Sequence, residues 1–110
     1  MPVKINWDKS VKSITAGGNF ILPLKEIPLS KIETSLLSTR TSFNVKKIES
    51  LKKSMVNQEK IPPILMDRTH NKNFKPYRIF DGHHRYYATL DLLGESGKIM
   101  AFVVPPLSKR

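Results

Sequence analysis

Val45, Ile48, Leu51 and Met55 recur at three- and four-residue spacing while Lys46, Lys52 and Lys53 fall elsewhere on the wheel, which predicts an amphipathic helix within "STRTSFNVKKIESLKKSMVNQ". Asn44 stands where its side-chain oxygen can accept from a first-turn N–H, so it is the expected N-cap. A second helix is expected over "HHRYYATLDLLG", with Tyr86, Leu90 and Leu93 on one stripe and Gly94 just past its end. Between the helices, "ILM" in "KIPPILMDR" and then "YRIFD" read as strands separated by the polar turn "THNKNFKP". "IMAFVV" reads as a last strand, stopped by Pro105-Pro106. Ahead of the first helix, "FILPLKEIPLSKIE" carries two apolar runs interrupted by Pro23 and Pro28. Proline supplies no ladder donor, so brief or edge strands are expected there. Residues 1–19 show neither period and run into Gly17-Gly18, which predicts a loosely held arm before a single domain over residues 20–110. Strands, helix, strand, strand, helix, strand, with no internal repeat, make an α+β domain with two main helices.

Composition narrows the chemistry. At 110 residues and 39% hydrophobic content the chain has the size of one compact domain. It has no cysteine, which excludes a disulfide framework, a Cys-based zinc site and thiol chemistry. No segment approaches the roughly 18 apolar residues of a membrane span, so a soluble, cytoplasmic protein without membrane partners is expected. Nineteen Lys and Arg against nine Asp and Glu give a net charge of +10, spread along the chain rather than gathered in a tail. Such a field favours anionic partners, although a solvated lysine-rich surface produces it equally well.

The stretch "YRIFDGHHRYYATLDLLG" is where candidate chemistry concentrates. A strand that feeds a glycine and then a helix aims the first N–H groups of that helix, and its positive dipole end, at whatever lies above the turn. Phosphate suits that position. Gly82 permits close backbone approach, and Arg85 can offer a planar fork of donors to phosphate oxygens. Asp81 could cap the helix, orient a histidine, hold a magnesium ion or accept a proton. His83 and His84 differ by about 100° on an ideal helix, so one is expected to face the site and the other to pack or meet solvent. Zinc chelation by this pair alone is a poor reading, because a metal site needs three or four convergent ligands.

At this point the chain resembles the ParB/sulfiredoxin superfamily, over about residues 20–104. "FNVKKIESLKKSM" with the following "IPPI" resembles the sulfiredoxin helix and its trailing proline-rich strand, and "FDGHHRYYA" sits where sulfiredoxins have a Gly-Cys-His-Arg-Tyr turn. "TRTSFN" resembles the Arg-x-x-Phe-Asp approach of ParB-like domains. The resemblance implies a small ParB/sulfiredoxin-like single domain with a mixed sheet. It further implies nucleotide contacts from Lys47, Ser50 and Ser54 on one face of the first helix, phosphate contacts from Gly82, His84 and Arg85, and assistance from Arg40. His83 stands where sulfiredoxins carry the attacking cysteine, so cysteine-dependent repair is not expected. The Asp-Gly-His-His-Arg form most resembles the turn of free serine kinases, which by similarity makes Asp81 a residue beside the substrate and Glu33, in "SKIET", the nearest candidate for a glutamate base.

The reading that follows is a nucleotide-phosphate-binding domain that takes ATP or another nucleotide with Mg2+, with NTPase or phosphotransferase chemistry as its active form. Asp81 and His83 are then the acid or base candidates. The alternative is a ParB-like DNA-binding or nuclease module of a plasmid, phage or chromosomal regulator, whose basic surface contacts DNA phosphates. A domain that has lost chemistry and serves as a protein scaffold is the third, and the joint presence of Asp81, Gly82 and Arg85 argues against it.

Overall fold

The computed structural model describes residues 4–16, 20–33, 44–68 and 72–104. Among them, strands β1 (Ser13–Ala16), β2 (Phe20–Pro28), β3 (Ile32–Glu33), β4 (Ile64–Arg68), β5 (Tyr77–Asp81) and β6 (Lys98–Val104) join in one mixed sheet in the order β1-β2-β6-β4-β5-β3. Helix α1 spans Val45–Val56 and helix α2 spans His83–Leu93. The α+β architecture expected from the patterning is present, with the helices and the later strands where the spacing places them.

The helix ends follow from local chemistry. The Asn44 side chain accepts the Lys47 backbone N–H, and Gly94 ends α2 with its own N–H donating to the Leu90 carbonyl. Ile48 and Met55 of α1 and Tyr86 and Ala88 of α2 are buried with Ile64, Met66, Ile79, Ile99 and Ala101 of the sheet, so the apolar stripes of both helices close one core. Val45, at the start of the α1 stripe, stays exposed. Strand β6 lies between antiparallel β2 and parallel β4, and its run Ile99 to Val103 is buried throughout. A near-continuous apolar stretch is what a strand covered on both faces requires. No described helix is long and apolar enough to cross a membrane.

Two expectations are corrected. Strand β2 is neither brief nor at an edge: it runs for nine residues through both prolines, between β1 and β6. The register explains the tolerance. The Leu24 N–H donates to the Lys12 carbonyl on the β1 side, so by alternation position 23 points its N toward β6 and position 28 points its N toward β1. Pairing with β6 begins only at Leu24, and pairing with β1 covers Phe20 to Pro23. Each proline thus presents its missing donor where no strand asks for one.

Residues 4–16 are also not the loose arm that their lack of a period suggests. Ile5 and Trp7 are buried in the core, Trp7 bridges to Ile61 in parallel, and β1 forms a hairpin with β2. Reciprocal bonds from Asp8 N–H to the Ile61 carbonyl and from Ile61 N–H to the Asn6 carbonyl fix the segment beside the start of β4. A single large aromatic can anchor a segment without leaving any periodic trace.

Candidate functional site

Two helix N-termini converge on one cleft. The β5–α2 turn places Gly82 at φ 109° as the N-cap of α2, and α2 opens with the Tyr86 N–H donating to the Gly82 carbonyl. Gly82 offers no side chain to cap the first turn, so the positive end of the helix is presented to the cleft. The first turn of α1 forms the facing wall. The cavity between them measures about 350 Å3 and is lined by Lys47 and Leu51 of α1 and by Asp81, Gly82, His83, His84 and Arg85 of the turn.

The turn is held from beneath. Gly82 is buried against Ile64, leaving no room for a side chain, since a Cβ at this position would lie 2.6 Å from Ile64 Cγ2. Arg85 donates through Nη1 to the carbonyls of Pro62 at 2.9 Å and Pro63 at 2.8 Å. The Pro62-Pro63 pair therefore supplies two acceptors that orient the guanidinium at the edge of the cleft. Buried Thr89 satisfies its own hydroxyl by donating to the Arg85 carbonyl at 2.7 Å. The backbone N–H of Asn44 donates to His84 Nε2 at 3.3 Å, which ties the two helix starts together.

Several sequence candidates meet here and others do not. Lys47, Asp81, Gly82, His83, His84 and Arg85 share the lining. Ser50 and Ser54 lie outside it, and Leu51, at i+4 from Lys47, forms that part of the wall. Glu33 is also outside: it sits in β3 beside Arg78, and its Oε1 accepts the Lys75 N–H at 2.8 Å. Arg40 lies outside the described residues. The expectation that only one of the two histidines faces the cleft is corrected, because the cavity abuts the end of α2 rather than one side of it, and residues 100° apart can both border it. Leu51, the Asn44 amide and the proline carbonyls are site elements that sequence reasoning misses. Only Leu51 leaves a signal, the i+4 spacing from Lys47.

Burial pushes the His83 imidazole below histidine's usual range, His84 adds to the shift and Asp81 opposes it. The fold thus favours neutral His83. Its contribution to stability is present above the ordinary histidine value of about 6.5 and is lost as pH falls through the depressed folded value. Melting temperature is expected to drop on acidification below about pH 6.5, and His83→Gln to flatten that part of the profile. An unchanged slope in the variant would assign the pH dependence to other groups.

A second cavity, of about 270 Å3, opens between α1 and α2 beside Lys52, Lys53, Val56 and Leu92. Lys52 is already paired there with Glu49 at 3.0 Å and Asp91 at 3.3 Å, so this groove offers an anion less than the cleft does.

The family model for the ParB N-terminal domain matches residues 12–108. Among solved structures, the crystal structure of sulfiredoxin from Arabidopsis thaliana superposes with a TM-score of 0.60 at 29% identity, over 74% of this chain and 84% of that one. The C-terminally truncated chromosome-partitioning protein ParB from Caulobacter crescentus, complexed with CTP-gamma-S, superposes with a TM-score of 0.57 at 20% identity, over 78% of this chain and 46% of that one. At that identity the likeness to ParB is one of fold, and this chain spans under half of the ParB chain. Comparison with curated proteins finds no match. A mixed sheet carrying two helices in the manner of sulfiredoxin and ParB, and a ParB N-terminal pattern running from residue 12 to residue 108, establish that this chain belongs to the ParB N-terminal domain family.

Proposed function

We propose that the domain is a ParB-like nucleotide-binding module whose cleft seats the polyphosphate of a nucleoside triphosphate. The observation that carries this reading is the convergence of Lys47, the uncapped start of α2 and the carbonyl-anchored Arg85 on a single cavity. Two positive helix ends, the anchored Arg85 and the exposed Lys47 suit an extended polyanion better than a single phosphate. The similar ParB was solved with CTP-gamma-S, which supports a nucleotide in this fold and places CTP beside ATP among the ligands to test.

Among the described residues no group of three or more His, Asp or Glu side chains converges as a metal site. Mg2+ would therefore arrive bound to the phosphates rather than in a cage of protein ligands. For hydrolysis or phosphoryl transfer, Asp81 and His83 are the acid or base candidates in the lining, and Lys47 with Arg85 would neutralise charge on the transferred group. Glu33, whose carboxylate holds the Lys75 amide, is the weaker candidate for the base.

The net charge of +10 favours a second reading, contact with DNA phosphates by the ParB-like surface. One calorimetric series separates the two. CTP, ATP and inorganic tripolyphosphate are titrated with Mg2+, followed by duplex DNA at several salt concentrations. The nucleotide reading expects saturable binding of at least one nucleotide, and no heat from any of them ends it. The DNA reading expects affinity to fall steeply and linearly on a logarithmic salt scale.

A further inference from the structure

His84 and Asn44 are 40 residues apart in sequence, yet the Asn44 backbone N–H donates to Nε2 of the imidazole. An accepting Nε2 must keep its lone pair, so the neutral ring carries its proton on Nδ1. The charged and titratable groups that share the cleft with it are Lys47 from α1, Asp81 from the end of β5, and His83 and Arg85 from the first turn of α2. Adding a proton to Nε2 removes the only acceptor in this bond. It frees the Asn44 N–H and creates a new N–H donor on the ring, and both groups stand at the start of a helix that borders the cavity.

We propose that His84 and the Asn44 amide form a proton-coupled latch, satisfied by each other while the cleft is empty and converted into two anion donors when a polyphosphate binds together with a proton. His84 is then more than another phosphate contact, because it positions the first turn of α1, and with it Lys47, against the α2 turn. Occupancy of the cleft is transmitted to the N-terminus of α1 by loss of this one bond. Proton uptake on binding also requires that polyphosphate affinity rise as pH falls, since a ligand that stabilises the protonated form binds it more tightly. The identity of the anion rests on the nucleotide-binding function proposed for the cleft, while the latch itself rests on the Asn44–His84 bond alone.

The test is nuclear magnetic resonance on the intact chain, following the Asn44 amide and the ring nitrogens of His84. The neutral ring is expected to carry its proton on Nδ1, and on acidification the Asn44 amide should shift in step with His84 protonation. Inorganic tripolyphosphate near neutral pH should move both signals the same way. Binding heats in buffers of different ionisation enthalpy should then report a proton taken up. His84→Gln keeps an acceptor oxygen for Asn44 but cannot be protonated, so it should abolish the pH response of Asn44 and reduce the proton uptake; His83→Gln should leave the Asn44 response in place. A proton on Nε2 at neutral pH, or an Asn44 amide indifferent to His84 protonation, overturns the latch. If acid breaks the bond but tripolyphosphate does not bind, the latch stands and the nucleotide reading falls. If tripolyphosphate binds while Asn44 stays unresponsive, the nucleotide reading stands and the latch falls.

Discussion

Gly82→Ala is expected to destabilise the domain by roughly 2–6 kcal/mol, from backbone strain of about 1–3 kcal/mol and overpacking of about 1–3 kcal/mol. Both contributions are visible at the site. With φ at 109° the backbone lies well away from the conformations that alanine adopts, and the new methyl would meet Ile64 Cγ2 at 2.6 Å and Ile64 Cβ at 2.7 Å. Ile64 cannot easily give way, because it is 1% exposed and paired with Ala101 of β6 in the middle of the sheet. Against the roughly 5–15 kcal/mol that holds a typical domain together, this is a large fraction. Gly94→Ala is the control. It too has a positive φ, 72°, but nothing lies within 4 Å of its added Cβ, so only the backbone part should appear. Urea unfolding would show a lower midpoint for both variants and a larger drop for Gly82→Ala. Equal drops would mean that the turn does not press on β4 as described.

The second large effect is on binding, and it separates the two cations of the cleft. Lys47 is exposed on the first turn of α1, so Lys47→Ala should weaken nucleotide binding roughly tenfold by removing one charge-assisted contact. The fold should barely notice, as is usual for surface substitutions. Arg85→Ala should do more in both respects. It removes a cleft cation and also strips the Pro62 and Pro63 carbonyls of their donor, at a stability cost of about 1–3 kcal/mol. Binding should fall roughly 10- to 100-fold. Arg85→Lys, which keeps the charge but not the fork, should recover part of the affinity. Calorimetry alongside thermal melting reads both quantities. Undiminished affinity in Lys47→Ala would remove α1 from the anion seat, and full affinity in Arg85→Ala would remove the turn.

What can be read along the chain is whatever neighbours in sequence dictate. The helix over the 45, 48, 51, 55 stripe, the Asn44 cap and the Gly94 stop are each settled within a turn or two of helix, and the structure realises all three, although Val45 itself stays exposed. The turn "FDGHHR" is legible for the same reason, since a strand, a glycine and a helix start are consecutive. Strand β2 departs from expectation because a proline's cost depends on which strand its missing N–H faces, and that is decided by β1 and β6 rather than by "FILPLKEIP" itself. The packed place of Trp7 depends on Ile61, fifty-odd residues away along the chain.

The site divides along the same line. Residue order brings Gly82 and Arg85 together at a strand-to-helix turn as candidates for anion binding, the family resemblance adds Lys47 to them, and the absent cysteine excludes thiol chemistry. Only the folded chain decided that Leu51 rather than Ser50 or Ser54 completes the wall, that Glu33 is occupied with the Lys75 amide, that Arg85 is braced by two proline carbonyls, and that His84 is joined to the start of α1. Short-range sterics and periodicity act between residues a few positions apart and so leave their mark in any stretch of sequence. A hydrogen bond or a shared cavity between residues forty positions apart arises only once the sheet and both helices have packed into one core.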